Sequence, residues 1–267
     1  MSPLRPTGGP RRARLSSLKL SSDSAAPAFD LEHDQLLDLL ATGDIEIEGR
    51  VVGSSNATFL VTVTDPSDAA VTHRAIYKPG GGERPLWDFP PDLYKREVAT
   101  FLVSRHLGWD VVPPTAIGTG PHGEGSVQAF VDADFSQHYF TLVEDKTDLV
   151  GLRRLCLLDL IINNTDRKSG HCLLGRDGRV YGIDHGLSFH TDFKLRTVIW
   201  DFVDDGISPT DLIDLRRFIS DDIPVGLYAL LSQAEVASTI SRVEKLVTSG
   251  TFPVDDTGGH RYPWPLV

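Results

Sequence analysis

Four side chains in this sequence could do chemistry together if the fold brings them to one place. Lys78 closes the strand-like run Ala75-Ile76-Tyr77-Lys78-Pro79, and Glu97 lies in the helical stretch that follows. Asp166 sits in a polar loop directly after an apolar run, and Asp184 ends a hairpin just before His185-Gly186. A hairpin that leaves beside Asp166 and returns to Asp184 puts two carboxylates at the same end of a lobe. Two carboxylates facing a lysine suit a nucleoside triphosphate with Mg2+, because magnesium takes hard oxygens from one or two carboxylates and completes its octahedron with phosphates and water. The lysine neutralises phosphate charge, and a glutamate on a neighbouring helix keeps it oriented. Singly, each residue has a plainer role: Glu97 could pair with Lys95 or Arg96, Asp166 could cap its loop, and Asp184 could serve a turn. Their order and spacing as a set point to phosphoryl chemistry.

The elements that must position them read as follows. Asp30 is expected to cap a short helix carrying Leu31, Leu36, Leu37, Leu39 and Leu40, with Gly43 as its stop. Residues 45–52, 58–64 and 71–77 read as three strands of an antiparallel meander, with the polar tip Gly53-Ser54-Ser55-Asn56 between the first two. A Gly/Pro-rich loop spans 80–91, and residues 92–107 turn helical in period. Residues 111–118 and 126–131 look like two more strands. Residues 148–162 form an apolar helix, 172–174 and 179–183 a short hairpin, and 207–249 a mainly helical region. The expected fold class is therefore α+β in two lobes: a basic tail at 1–28, a small-sheet lobe at 29–131 and a mainly helical lobe at 132–267.

Composition narrows the function. The 267 residues carry a formal charge of −11, and the five cations of residues 1–20 leave the remainder near −16. So acidic a body is a poor general nucleic-acid binder, since phosphate attraction dominates such affinity. The Pro-, Gly- and Ser-rich start reads as a disordered tail. Only two cysteines occur, Cys156 and Cys172, which excludes a disulfide framework and a Cys-rich zinc site and suits a reducing cytosol. Cys172 reads as a buried strand residue rather than a nucleophile.

Several motifs resemble one family. Asp166-Arg167-Lys168-Ser169-Gly170-His171 has the form D-R-x-x-x-[N/H], and the segment from Ile161 to Arg167 resembles the catalytic loop of phosphatidylinositol 3/4-kinases, the type II 4-kinases most of all. Ile183-Asp184-His185-Gly186-Leu187-Ser188-Phe189 is similar to their D-x-G metal motif. Gly53-Ser54-Ser55-Asn56-Ala57-Thr58-Phe59 resembles their phosphate loop, and Gly125-Ser126-Val127-Gln128-Ala129-Phe130-Val131 their hinge strand. With Glu83-Arg84-Pro85-Leu86-Trp87-Asp88-Phe89 added, the set is closer still to short actinobacterial proteins of the phosphatidylinositol 3/4-kinase-like type. The resemblance covers about residues 45–200.

The resemblance implies a kinase-like fold and a set of roles. Lys78 would hold the α/β-phosphates, with Glu97 as its partner; Asp166 would accept or orient the acceptor hydroxyl; Asp184 would bind Mg2+. Backbone groups of Gly53, Ser54, Ser55 and Asn56 would cover the phosphates, and those of Gln128, Ala129, Phe130 and Val131 would meet the adenine. His171 stands where the family has Asn, so it is expected to be a metal ligand or phosphate contact, with Mn2+ as an alternative metal; the plainer alternative is that it only hydrogen-bonds the loop. The expected partners are ATP, Mg2+ and a protein or small-molecule hydroxyl. A lipid acceptor is disfavoured because Lys194 and Arg196 face Asp192, Asp201, Asp204 and Asp205 nearby, so membrane contact is not expected. A nucleotide-binding pseudokinase and a protein AMP-transferase are the alternatives. Trp87 is expected either to close over the ligand or to pack its loop onto the small lobe, and Glu83 and Arg84 are candidate substrate contacts.

Overall fold

A computed structural model describes residues 28–221, 223–254 and 261–266. The expected basic tail at 1–28 therefore lies outside the described residues, apart from Ala28. The chain runs α1 (His33–Thr42), β1 (Asp44–Arg50), β2 (Phe59–Thr64), β3 (Thr72–Pro79), α2 (Leu93–Leu107), β4 (Thr115–Gly120) and β5 (Gly123–Ala129). It continues through α3 (Tyr139–Glu144), α4 (Leu149–Ile162), β6 (Cys172–Leu174), β7 (Val180–Gly182), α5 (Pro209–Ser220), α6 (Val225–Leu230) and α7 (Gln233–Ser249).

The first five strands form one antiparallel sheet in the order β1-β2-β3-β5-β4. Alternation explains its faces: Val61, Val63, Ala75, Tyr77, Val127 and Ala129 are buried, and α1 covers them with Leu36, Leu39 and Leu40. The expected meander is present as β1–β3, and the later pair inserts β5 beside β3. In that pairing Ser126 lies opposite Lys78. Gly125 is needed next to it, because a Cβ there would come within 2.3 Å of the Lys78 carbonyl.

Two expectations shift. Asp30 does not cap α1; the helix begins three residues later behind Glu32, and the Asp30 carboxylate pairs instead with Arg176. The fourth strand starts at Thr115 rather than 111, because Pro113 and Pro114 lack the N–H groups that a ladder requires.

The second, larger core is built on α4, which is apolar around most of its circumference and buries ten of its residues. It also takes Phe101, Val103 and Leu107 from α2, and the helices α5–α7 close its far side. Ser208 caps α5 and a Ser232/Glu235 capping box starts α7. The β6–β7 hairpin returns the chain from the end of α4 to the cleft between the sheet and the helices. No helix among the described residues is long and apolar enough to cross a membrane.

Candidate active site

One cavity of about 1120 Å³ lies between the sheet and the helical half. Each of the thirteen residues proposed from sequence as catalytic, nucleotide-binding or metal-binding lines it.

Lys78 occupies the centre. Its Nζ donates to Glu97 Oε1 at 2.5 Å and to Asp184 Oδ1 at 2.9 Å. Glu97 therefore pairs with Lys78 and not with Lys95 or Arg96, which bond Asp92 and Glu235 instead. Its second oxygen accepts from the His185 N–H at 2.8 Å, so one carboxylate on α2 fixes both the lysine and the segment after Asp184. Burial alone would lower the Lys78 pKa, but the charges of Asp184 and Glu97 outweigh it and the amine stays firmly protonated. The same lysine, working against burial, holds Asp184 far below the usual carboxylate range. Asp184 has φ +60°, a left-handed conformation that costs a non-glycine residue energy and is typical of functional sites.

The loop after α4 carries Asp166 on the opposite wall. Its backbone N–H donates to Asn164 Oδ1 at 3.0 Å, and Lys168 Nζ lies 2.8 Å from its Oδ2. Burial raises the Asp166 pKa, and the Lys168 charge only partly offsets this. A carboxyl in that state is suited to take up a proton.

His171 Nε2 is 3.4 Å from Asp184 Oδ2. Burial lowers its pKa to about 4, so the ring is neutral near pH 7. Its Nδ1 accepts from the Lys168 N–H at 3.4 Å, which leaves the proton on Nε2, facing Asp184. In this tautomer the Nε2–H is on the carboxylate's side, and 3.4 Å makes it a neighbour of Asp184 rather than a strong hydrogen-bond donor. Among the described residues no three His, Cys, Asp or Glu side chains converge into a ready metal cage. The oxygens present suit a Mg2+ that arrives with phosphates and water supplying most of its ligands.

At the opposite end, the Ala129 and Phe130 N–H groups donate to the carbonyls of Pro114 and Arg74 at 2.8 and 2.9 Å. The next residue, Val131, donates its N–H to no described residue, which suits recognition of a planar heterocycle there. Gln128 spends its side-chain amide on Thr115, 2.9 Å away. In the β1–β2 loop Gly53 takes φ +89°, and the Ser54 hydroxyl bonds that of Thr58.

In the 80–91 loop one candidate has a structural task as well, and one expectation is corrected. Glu83 lines the cavity, and its oxygens accept the Leu93 and Tyr94 N–H groups at 2.9 and 2.8 Å, capping α2 where left-handed Asp92 does not. Trp87 neither closes over the cavity nor packs onto the sheet; it is 94% exposed, with the Lys194 ammonium 5.5 Å from its ring centre.

Sequence reasoning missed the support beneath the site. Asp159 reads as an interruption in an apolar helix, yet it is fully buried and accepts from Arg167, Asn164 and Thr197. A lone acid in a buried helix was the available signal, since such a group is almost never buried unpaired. Residues 261–266 were also missed: Ser169 N–H donates to the Leu266 carbonyl at 2.8 Å, and Trp264 reaches the cavity wall.

No family model matches the chain. Protein Rv2133c of Mycobacterium tuberculosis is 36% identical over 266 residues, an alignment spanning 85% of this chain and 94% of that one. The chain belongs to the family of Protein Rv2133c. Phosphatidylinositol 4-kinase gamma 4 of Oryza sativa subsp. japonica is 29% identical over 129 residues, covering 39% of this chain and 22% of the rice protein. Among solved structures, the Golgi casein kinase with Mn/ADP bound superposes with a TM-score of 0.54 at 18% identity, covering 88% of this chain and 80% of the kinase. Hydra Fam20 with sugar gives 0.52 at 12% identity, covering 84% and 90%. This member of the Rv2133c family therefore has a two-lobed, kinase-like α/β fold.

Proposed function

We propose that the chain is an ATP-dependent phosphotransferase of the phosphatidylinositol 3/4-kinase-like type, passing the γ-phosphoryl group to a hydroxyl of a small molecule or protein. The observation that carries this reading is the bridge Glu97–Lys78–Asp184, at 2.5 and 2.9 Å, in the cavity that Asp166 also lines. The fold it shares with the Golgi casein kinase, whose structure holds Mn and ADP, supports it, as does the partial likeness to a plant phosphatidylinositol 4-kinase.

In this reading the base docks at Val131 and the phosphates run beneath Gly53–Asn56 toward Lys78. Asp184 would hold the divalent cation, which supplies charge neutralisation on the phosphates. Asp166 takes the acceptor's proton as the acceptor oxygen bonds phosphorus and the bond from phosphorus to the ADP oxygen breaks. Lys168, 2.8 Å from Asp166 Oδ2, keeps that carboxylate oriented. Positioning and charge supply most of the rate, since phosphoryl transfer asks little covalent work of the protein.

The test measures Mg2+-dependent ATP turnover and autophosphorylation for wild type, Asp166→Asn and Asp184→Asn. Loss of about 100-fold or more in both variants is expected, with ATP affinity retained in Asp166→Asn. Equal turnover in all three would overturn the assignment. A second reading, a nucleotide-binding regulator, draws on His171 standing 3.4 Å from Asp184 where the family pattern has Asn; ATP binding without transfer in wild type would select it.

A further inference from the structure

The phosphate end of the cavity is short of positive charge. Lys78 already faces two carboxylates, Lys168 faces Asp166, and Lys194 lies 3.0 Å from Asp88. His171 is neutral. A nucleoside triphosphate adds several negative charges, and one divalent cation offsets only two of them. Two further cations line the cavity, Arg84 and Arg196; both are exposed, and neither guanidinium meets a carboxylate among the described residues.

Their backbones place them on opposite walls. Arg196 belongs to the acceptor side: its N–H donates to the Asn164 carbonyl at 2.9 Å, and its own carbonyl accepts from Arg167 N–H at 3.1 Å, beside Asp166. Arg84, in the 80–91 loop, is held against the 53–59 loop. Its N–H donates to Asn56 Oδ1 at 3.0 Å, and two residues earlier the Gly82 carbonyl accepts from Ala57 N–H at 3.0 Å. That approach needs a glycine, since a Cβ on Gly82 would fall 2.4 Å from the Ala57 Cβ. Glu83 pins the same stretch to the start of α2. Residues 82–84 are thus fixed from two sides, and the Arg84 guanidinium, at the cavity, has no partner among the described residues.

We propose that Arg84 is a triphosphate-binding residue, donating its guanidinium to the terminal phosphates from the sheet side of the cavity. The inference rests on the reading of the cavity as an ATP site. It also explains how a loop with a single glycine between 53 and 59 can hold a triphosphate: Asn56 spends its side-chain oxygen on presenting Arg84, and the arginine replaces the anion-binding that more backbone N–H groups would supply. A planar fork suits phosphate oxygens better than an ammonium does, so lysine should replace it only in part.

The experiment is calorimetry on the full chain with Mg2+, titrating ATP and adenosine into wild type, Arg84→Ala and Arg84→Lys. Arg84→Ala is expected to weaken ATP roughly tenfold or more and leave adenosine within about twofold, with Arg84→Lys between wild type and alanine for ATP. Unchanged ATP affinity in Arg84→Ala would overturn the inference while leaving the ATP site standing. Equal weakening of ATP and adenosine would also overturn it, by assigning Arg84 a structural role. Wild type failing to bind ATP at all would remove the ATP reading itself.

Discussion

Arg167 grips Asp159 with two prongs, Nε to Oδ2 at 3.0 Å and Nη2 to Oδ1 at 2.9 Å, and neither side chain is exposed. The rest of the guanidinium reaches across the site. Nη1 donates to the carbonyls of His171 and Ile183 at 3.2 and 2.7 Å, and Nη2 donates to His185 Nε2 at 2.7 Å. Arg167 follows Asp166, and Ile183 and His185 flank Asp184. One buried arginine therefore sets the separation of the two carboxylates on which the proposed chemistry rests.

Arg167→Lys keeps the charge but cannot span five acceptors from one plane. It is expected to lower stability, and Arg167→Ala more so, by about 3–5 kcal/mol, because Asp159 is then buried without a counter-ion. Urea unfolding of both variants measures this. A loss below about 1 kcal/mol in Arg167→Ala would show that the pair is not the keystone described.

Lys78 is the first cause of the depressed Asp184 pKa, ahead of the opposing effect of burial. Lys78→Met should therefore let Asp184 titrate at higher pH, visible by carboxyl carbon NMR, and should cut turnover about 100-fold or more. Because Glu97 is buried and loses its counter-ion in this variant, urea unfolding accompanies the titration to show that it is read on folded protein. Asp184 titrating unchanged in Lys78→Met would mean that something else holds it ionised.

Burial drops the His171 pKa from 6.5 to about 4. Between those values the unfolded chain binds a proton that the folded chain refuses, so stability contributed by the neutral ring is present above about pH 6.5 and is lost as pH falls toward 4. His171→Asn removes that titration. The stability gap between wild type and variant should narrow, or shift in the variant's favour, by about 3 kcal/mol between pH 7 and pH 4. Parallel pH–stability curves would show that the ring does not titrate as described.

What was legible in the sequence was what local chemistry writes down. Period-2 and helical apolar patterns located the five strands, α2 and α4 to within a few residues, though not the β3–β5 pairing that joins the strands into one sheet, and the kinase order of Lys78, Glu97, Asp166 and Asp184 anticipated their convergence. Non-local pairings stayed hidden. Nothing near Glu83 says that its carboxylate caps a helix ten residues away, because the signal lies in the left-handed Asp92 that fails to do so. Nor does Arg167 announce five acceptors drawn from α4, the catalytic loop and the hairpin. Trp87 was misjudged for a related reason: its partner, Lys194, is more than a hundred residues away.

That partner pair makes a final prediction. Lys194 Nζ lies 3.0 Å from Asp88 Oδ2, with the Trp87 and Phe89 ring centres at 5.5 and 5.9 Å. The Lys194 N–H donates to Asn163 Oδ1 at 2.9 Å, which ties it to the end of α4. The 80–91 loop is thus latched to the helical half at one end and to the phosphate loop at the other. A partly exposed ion pair contributes at most about 1 kcal/mol to global stability, so Asp88→Asn should barely move the Tm. Its effect should be local instead, because this pair, the two Lys194–ring contacts and the edge contact of Phe89 with His190 at 5.5 Å join the loop's far end to the helical half. Amide exchange around residues 84–90 should quicken several-fold in Asp88→Asn while exchange in α4 stays unchanged. If exchange in the loop matches wild type, the ion pair is ornamental and the aromatic contacts alone hold the loop in place.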